Sequence, residues 1–247
     1  MKISFEDNCK LDRRSWLRLM GVTDEHRRMA KAAETGSAGE AAAKTKTAID
    51  RLMQQMDEAE TLLFDAADPA FTYEVLDIGS LPIQGVSLAK HLEGCNQMAV
   101  MAVTLGSEVD RLISETQEHR IALGVVIDSG ASIMAELATN MAEEQIRKEI
   151  AEKGPIYMTG RFSPGYGDSP LEMQAEVLEI LQADEKLGIT LSKGYMMNPS
   201  KSVTAIMGLA DHPVTGRLAT CEECVLREKC QLRREGMRCG AAKQKHI

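Results

Sequence analysis

Arg161-Phe162-Ser163-Pro164-Gly165-Tyr166-Gly167-Asp168-Ser169-Pro170 gathers an arginine, two aromatics, two glycines and two serine–proline pairs in one short run. Proline fixes φ and glycine opens backbone angles closed to other residues, so a run of this composition holds one particular irregular shape. The chemistry it offers is recognition of a polar ligand. The rigid fork of Arg161 can pair bidentately with a carboxylate, Tyr166 presents an apolar face and one hydroxyl, and Gly165 and Gly167 let backbone amides approach a ligand closely. A proline-rich Ω-loop held by its own side chains has the same composition, and that alternative stays open.

The second chemical signal is Cys221, Cys224, Cys230 and Cys239, spaced C-x2-C-x5-C-x8-C. Two thiolates separated by two residues can chelate one ion, and four nearby thiolates suit tetrahedral zinc or an iron–sulfur cluster. The later spacings match neither a tight four-iron run nor a zinc-finger half, so spacing does not choose between them. Dithiol redox chemistry and incidental thiols are the competing readings. The other two cysteines, Cys9 and Cys95, are isolated and read as inert. Seven Lys or Arg against four Glu from Cys221 onward make this tail mildly basic, suited to docking an acidic partner.

Acids that could face a cationic group lie on a long apolar stretch from Ile121 to Ile150. Asp128 and Glu136 are about two helical turns apart, not far from one face. Asp128 follows Gly124-Val125-Val126-Ile127 and is expected to be buried, where its carboxylate must find a donor; Glu136 taken alone reads as a solvated helix acid. Tyr195 sits in a second irregular segment, Tyr195-Met196-Met197-Asn198-Pro199, and Lys201 is expected in solvent.

These residues need elements to hold them. A short helix capped by Asp12 and ended by Gly21 carries Trp16 and Leu17; two helices broken near Gly36 and Gly39 follow as scaffold. Phe71–Ile78 and Gln97–Leu105 read as strands, the latter buried on both faces. Between them lies a short helix stopping at Gly94. A charged helix from Glu108 to Glu118 precedes the long one, which is expected to bend near Gly130. After the Arg161 loop, Ser169-Pro170 should cap a helix over Leu171–Ala183, and Ser202–Leu209 should return as a strand. This gives an α+β fold of mixed helices and antiparallel sheet with a short Cys-rich C-terminal appendage. The expected divisions are a helical region 1–70, a ligand-binding core 71–215 and a tail 216–247.

Composition narrows the classes. The chain has 247 residues, 44% hydrophobic and 27% charged, with 37 acids against 29 bases and a net charge of -8, which argues against a general nucleic-acid binder. No signal-peptide-like run and no uninterrupted 18-residue apolar stretch is visible, so a cytoplasmic protein with no membrane partner is expected.

Arg161-Phe162-Ser163-Pro164-Gly165-Tyr166-Gly167, followed by Leu191-Ser192-Lys193-Gly194-Tyr195-Met196-Met197-Asn198-Pro199-Ser200-Lys201-Ser202-Val203, resembles the activation domain of cobalamin-dependent methionine synthase in its free-standing bacterial form. That family has an R-x-x-P-G-Y loop and, some way on, a segment approximating L-T-E-S-Y-x-M-x-P-x-x-S-V. Both occur here in order. Ser192, Lys193 and Gly194 depart from the family's Thr, Glu and Ser. The resemblance implies that Arg161 holds the carboxylate of S-adenosylmethionine, that Ser163, Gly165 and Tyr166 shape the adenosine side, and that Tyr195 closes it. Met134-Ala135-Glu136-Leu137 resembles the family's L-A-E-A setting, which makes Glu136 the acid for the cationic methionine portion, with Asp128 as competitor.

The implied role is reactivation. An electron from a donor such as flavodoxin or ferredoxin and a methyl group from S-adenosylmethionine restore methylcobalamin from cob(II)alamin. The protein's task is then positioning, and no residue is assigned as catalytic. With no D-x-H-x-x-G sequence in this chain, cobalamin would arrive on a partner, a methionine synthase or another corrinoid protein. The alternative is a noncatalytic S-adenosylmethionine sensor or a metal-bearing assembly protein for a corrinoid methyltransferase system.

Overall fold

The computed structural model describes residues 1–5, 9–34, 39–154, 156–214 and 228. Cys221, Cys224, Cys230 and Cys239, and with them the expected appendage, lie outside the described residues. The elements are α1 (Arg13–Leu19), α2 (Asp24–Glu34), α3 (Glu40–Ala66), β1 (Ala70–Asp77), α4 (Val86–His91), β2 (Gln97–Thr104), α5 (Ser107–His119), α6 (Ile121–Ala151), β3 (Tyr157–Met158), α7 (Met173–Ile180), α8 (Ala183–Leu187), β4 (Thr190–Leu191), β5 (Met197–Asn198) and β6 (Ser202–Ala210). A four-stranded sheet has the order β1-β2-β6-β3, and β4 and β5 form a separate antiparallel pair. The ladder is antiparallel where Asp68 N–H donates to Leu105 O and Ile78 N–H to Asn96 O, and where β3 meets β6. This is the expected α+β class. The two central strands are apolar for the expected reason: β2 is buried from Met98 to Thr104 and β6 from Thr204 to Ala210.

The chain divides into two compact units, and β1, β2 and β6 each contribute residues to both. The first comprises Met1–Thr72, Ala102–Lys148 and Gln182–Val203. Its core is built on Trp16, fully buried with Met56, Leu63, Phe71, Leu123, Ile127 and Met134. Asp12 caps α1 by accepting from Arg14 N–H at 3.0 Å, and Gly21 leaves the helix at φ +80°, as expected. Arg13 pairs with Glu60 and Asp57 and lies over the Trp16 ring at 5.4 Å.

Trp16 also explains Gly130. Gly130 lies within one unbroken helix, and a Cβ there would stand 2.3 Å from Trp16 Cζ2. The indole Nε1–H donates to Ser129 Oγ at 2.9 Å. By length and composition α6 could cross a membrane, with a window of mean hydropathy 1.6; 56% of that window is buried inside the protein, as in a core helix.

The second unit comprises Tyr73–Met101, Glu149–Leu181 and the described residues from Thr204 onward. It buries Leu81, Leu88, Met98, Met101, Phe162, Val177, Leu181, Ile206 and Met207. Helix α7 begins later than the sequence suggests. Ser169 is buried and its hydroxyl donates to the Met173 sulfur, so it does not cap the helix, whose N-cap position is Glu172.

Gly130→Ala should overpack Trp16 and cost about 1–3 kcal/mol. Gly194→Ala, where a Cβ meets nothing within 4 Å, should stay within about 0.5 kcal/mol of the parent. Urea denaturation of the two variants measures both.

Candidate functional site

The stretch before the loop runs antiparallel to β6, with Tyr157 opposite Ala210 and Met158 opposite Leu209. Thr159 N–H donates to Gly208 O at 2.9 Å. The ladder resumes where Phe162 and Ile206 exchange two hydrogen bonds, 2.9 and 2.7 Å. Residues 159–161 therefore face only residues 207 and 208, and one extra residue makes a β-bulge. A bulge re-aims a side chain and takes backbone groups out of the ladder. Arg161 is in it.

Residue 160 alternates away from β6, so its carbonyl finds partners outside the ladder. Gly160 O lies 2.9 Å from His91 Nε2 and accepts from the Thr159 hydroxyl at 3.1 Å. The same Nε2 lies 2.9 Å from the Thr159 hydroxyl, so imidazole, hydroxyl and carbonyl form one small polar cluster. His91 is fully buried on α4 and its ring centroid lies 5.4 Å from that of Phe162.

Past Phe162 the chain makes two consecutive turns. Tyr166 N–H donates to Ser163 O and Ser169 N–H to Tyr166 O, while Gly165 N–H reaches Ser169 O. Gly165 at φ +86° and Gly167 at φ +59° supply angles that L side chains rarely adopt. The Ser163 hydroxyl donates to Thr204 O at 2.6 Å and so ties the first turn to β6. Asp168 closes the second by accepting from Val86 N–H at 2.7 Å and Ser87 N–H at 2.8 Å. The approach is tight. A Cβ on Gly167 would meet Ser87 Oγ at 2.5 Å, and one on Gly85 would meet Asp168 O at 2.9 Å. The result is a shaped loop with Arg161 half-buried and Tyr166 63% exposed at its rim.

Of the residues singled out from sequence, Arg161, Ser163, Gly165 and Tyr166 share this loop in the second unit. Tyr195, Asp128 and Glu136 belong to the first. Tyr195 is half-buried between β4 and β5, at φ +59°, an angle unusual for a bulky side chain. Glu136 is exposed on α6. Asp128 is half-buried, and its donor is Lys201, whose Nζ lies 2.9 Å from Oδ1 and 3.0 Å from Ser132 Oγ. Lys201 is not in solvent as expected, its side chain being only 13% exposed. The next residue back is held too: Ser200 N–H and hydroxyl both donate to the Asp110 carboxylate at 2.6 Å.

His91, Asp168 and Asp110 escaped sequence reasoning. Each acts on a partner 69 to 90 residues away, and locally they read as a lone helix histidine, a turn aspartate and a helix acid. Among the described residues no group of three or more His, Cys, Asp or Glu is placed to hold a metal ion.

Residues 88–215, more than half of the chain, match the family model described as the vitamin B12 dependent methionine synthase activation domain. The matched span includes the loop and the Tyr195 segment. Among solved structures, the crystal structure of the MetH reactivation domain bound to AdoHcy has a similar fold. The TM-score is 0.53 at 15% sequence identity, covering 91% of this chain and 82% of that one. No curated protein matches the sequence.

Hydrogen bonds from the Ser87 hydroxyl and the Ser87 and Val86 amides hold the Asp168 carboxyl down, from 3.8 to about 2. A carboxyl depressed on folding stabilises the protein above its unfolded value and loses that contribution as pH falls through the folded one. The stability difference between the parent and Asp168→Asn should therefore be full near neutral pH and shrink as pH falls from about 4 toward 2. Urea midpoints of the two proteins across that range read it directly.

Proposed function

The chain belongs to the family of vitamin B12-dependent methionine synthase activation domains, and we propose that it binds S-adenosylmethionine and serves as the reactivation module of a corrinoid protein. The observation that carries this reading is the family match over 88–215, because it takes in both the Arg161 loop and the Tyr195 segment. The fold shared with a reactivation domain bound to AdoHcy supports it.

The loop suits such a ligand. A half-buried guanidinium can hold the methionine carboxylate bidentately, in surroundings less screened than open water. An exposed phenol at the rim offers an apolar face to the adenosine side. Gly165 and Gly167 supply the positive-φ angles that hold the loop backbone in the shape offered to the ligand. Ser163 donates its proton to Thr204 O and keeps lone pairs as acceptors. Tyr195 and Glu136, with Asp128 as the competing acid, are carried as ligand contacts on the family resemblance, and substitution tests each.

S-adenosylmethionine supplies the methyl group, which leaves the sulfonium for the reduced corrinoid and leaves S-adenosylhomocysteine behind. The chain's own work is to hold the ligand in one orientation and release the product. Orientation alone can supply much of the rate of such a transfer. The corrinoid comes on a methionine synthase or a related protein, and the electron from a donor such as flavodoxin or ferredoxin. We place this chemistry in the cytoplasm. The tail beyond residue 215 is assigned to metal binding, electron relay or partner docking.

Calorimetry under anaerobic conditions should show binding of S-adenosylmethionine and S-adenosylhomocysteine. Arg161→Ala should weaken both by roughly 10- to 100-fold, the worth of a charge-assisted hydrogen bond, without loss of fold. Unchanged affinity removes Arg161 from the site. No binding by the folded parent removes the reading altogether. A purified corrinoid methionine synthase should regain methylcobalamin, followed by its visible spectrum, only when this protein, S-adenosylmethionine and a reductant are all present. Binding without that gain favours a sensor.

A further inference from the structure

The loop's two ends converge on one short helix. At its start, Gly160 O lies within the bulge and points away from β6, and buried His91, in the last turn of α4, lies 2.9 Å from it. At its finish, the Asp168 carboxylate takes the Val86 and Ser87 amides in the first turn of α4. Gly85 and Gly167 admit this contact, since a Cβ on either would strike the other segment. The helix is only six residues long, too short to be stable by itself, so its ends are held by the loop as much as they hold it.

We propose that α4 is the brace of the ligand loop, with His91 and Asp168 acting as positioning residues that fix Arg161 and the Gly165–Gly167 turns for the ligand. The proposal rests on the reading of the loop as the S-adenosylmethionine site. Neither residue is given a contact with the ligand. His91 anchors the bulge through its 2.9 Å contacts with Gly160 O and the Thr159 hydroxyl, and the Phe162 ring beside it shields the imidazole from water. Asp168 sets where the second turn ends. Removing either leaves every ligand-binding side chain present but lets the loop sample other shapes, which weakens binding through lost preorganisation.

Two readouts separate the brace from the reading on which it rests. The amides of Phe162, Gly165, Tyr166 and Ser169 are hydrogen-bonded within the loop or to β6, and hydrogen exchange reports on them whether or not a ligand binds. In Asp168→Ala, exchange over residues 160–169 and 85–91 should accelerate while α3 and α6 keep their protection. Calorimetry at 25 °C on the same folded variant should show S-adenosylhomocysteine affinity down about tenfold. Asp168→Asn, whose amide oxygen still accepts one of the two N–H bonds, should recover part of both effects, and His91→Gln should do better than His91→Ala in the same way.

Unchanged loop exchange in Asp168→Ala overturns the brace. Faster exchange with undiminished affinity overturns the positioning role, as does a fall in melting temperature with no change in affinity. If the parent protein binds no S-adenosylhomocysteine, the functional reading and the positioning role fall together, and the exchange result still decides whether α4 braces the loop. His91 is fully buried and its variants could lose the fold, so the exposed Asp168 carries the decision.

Discussion

One residue too many opposite β6 is the constraint from which the loop's geometry follows. Had residues 157–162 paired with β6 in continuous register, Arg161 would be an ordinary member of the ladder, hydrogen-bonded opposite Ile206. The bulge breaks the alternation, puts Phe162 opposite Ile206 in place of Arg161 and starts the loop at a fixed angle. It holds because both sides of it are secured: Met158 opposite Leu209 before, the double Phe162–Ile206 exchange after. A loop rooted in a fully buried strand has little freedom at its base. Its remaining freedom lies in the two turns, where Ser163, Ser169 and Asp168 each contribute a further bond.

In the first unit the corresponding fixed point is Trp16. A fully buried indole has to hydrogen-bond its N–H, and it does so on α6, at Ser129. Close approach of that ring to the helix needs a residue without a side chain, and Gly130 is there. The cost of a glycine inside a helix, about 1 kcal/mol, is set against burial of the largest side chain in the protein. Sequence reasoning sees only the weak helix former and expects a bend. The partner that explains it lies more than a hundred residues earlier.

The same limit runs through the whole comparison of sequence with structure. What depends on local periodicity was legible: the capped α1, the break between α2 and α3, the apolar β2 and β6, and the shaped character of residues 161–170. The two-residue strand β3 was not, because two residues carry no period. Nor was the start of α7, where Ser169-Pro170 has the composition of a cap but Ser169 turns its hydroxyl to Met173. Nothing near Lys201 in sequence asks for a cation, so sequence alone points it to solvent. Asp128, expected to be buried, has a side chain 50% exposed, and only the fold brings its donor Lys201 beside it. The motifs announced the loop, while the residues that shape it, His91 and Asp168, are visible only through contacts distant in sequence.

The Lys201 pairing also bears on which acid could serve a cationic ligand. Asp128 shares its charge with an ammonium 2.9 Å away, and that ammonium is largely shielded from water. Two opposite charges so close cancel much of each other's field at a third site, so an approaching sulfonium or ammonium would meet a nearly neutral pair. To recruit Asp128 the ligand would have to compete with Lys201, leaving a partly buried cation short of its counter-charge. Ser132 alone could not compensate it, since a hydroxyl carries no net charge. The pairing gives Asp128 a structural role, tying α6 to the segment that follows Pro199.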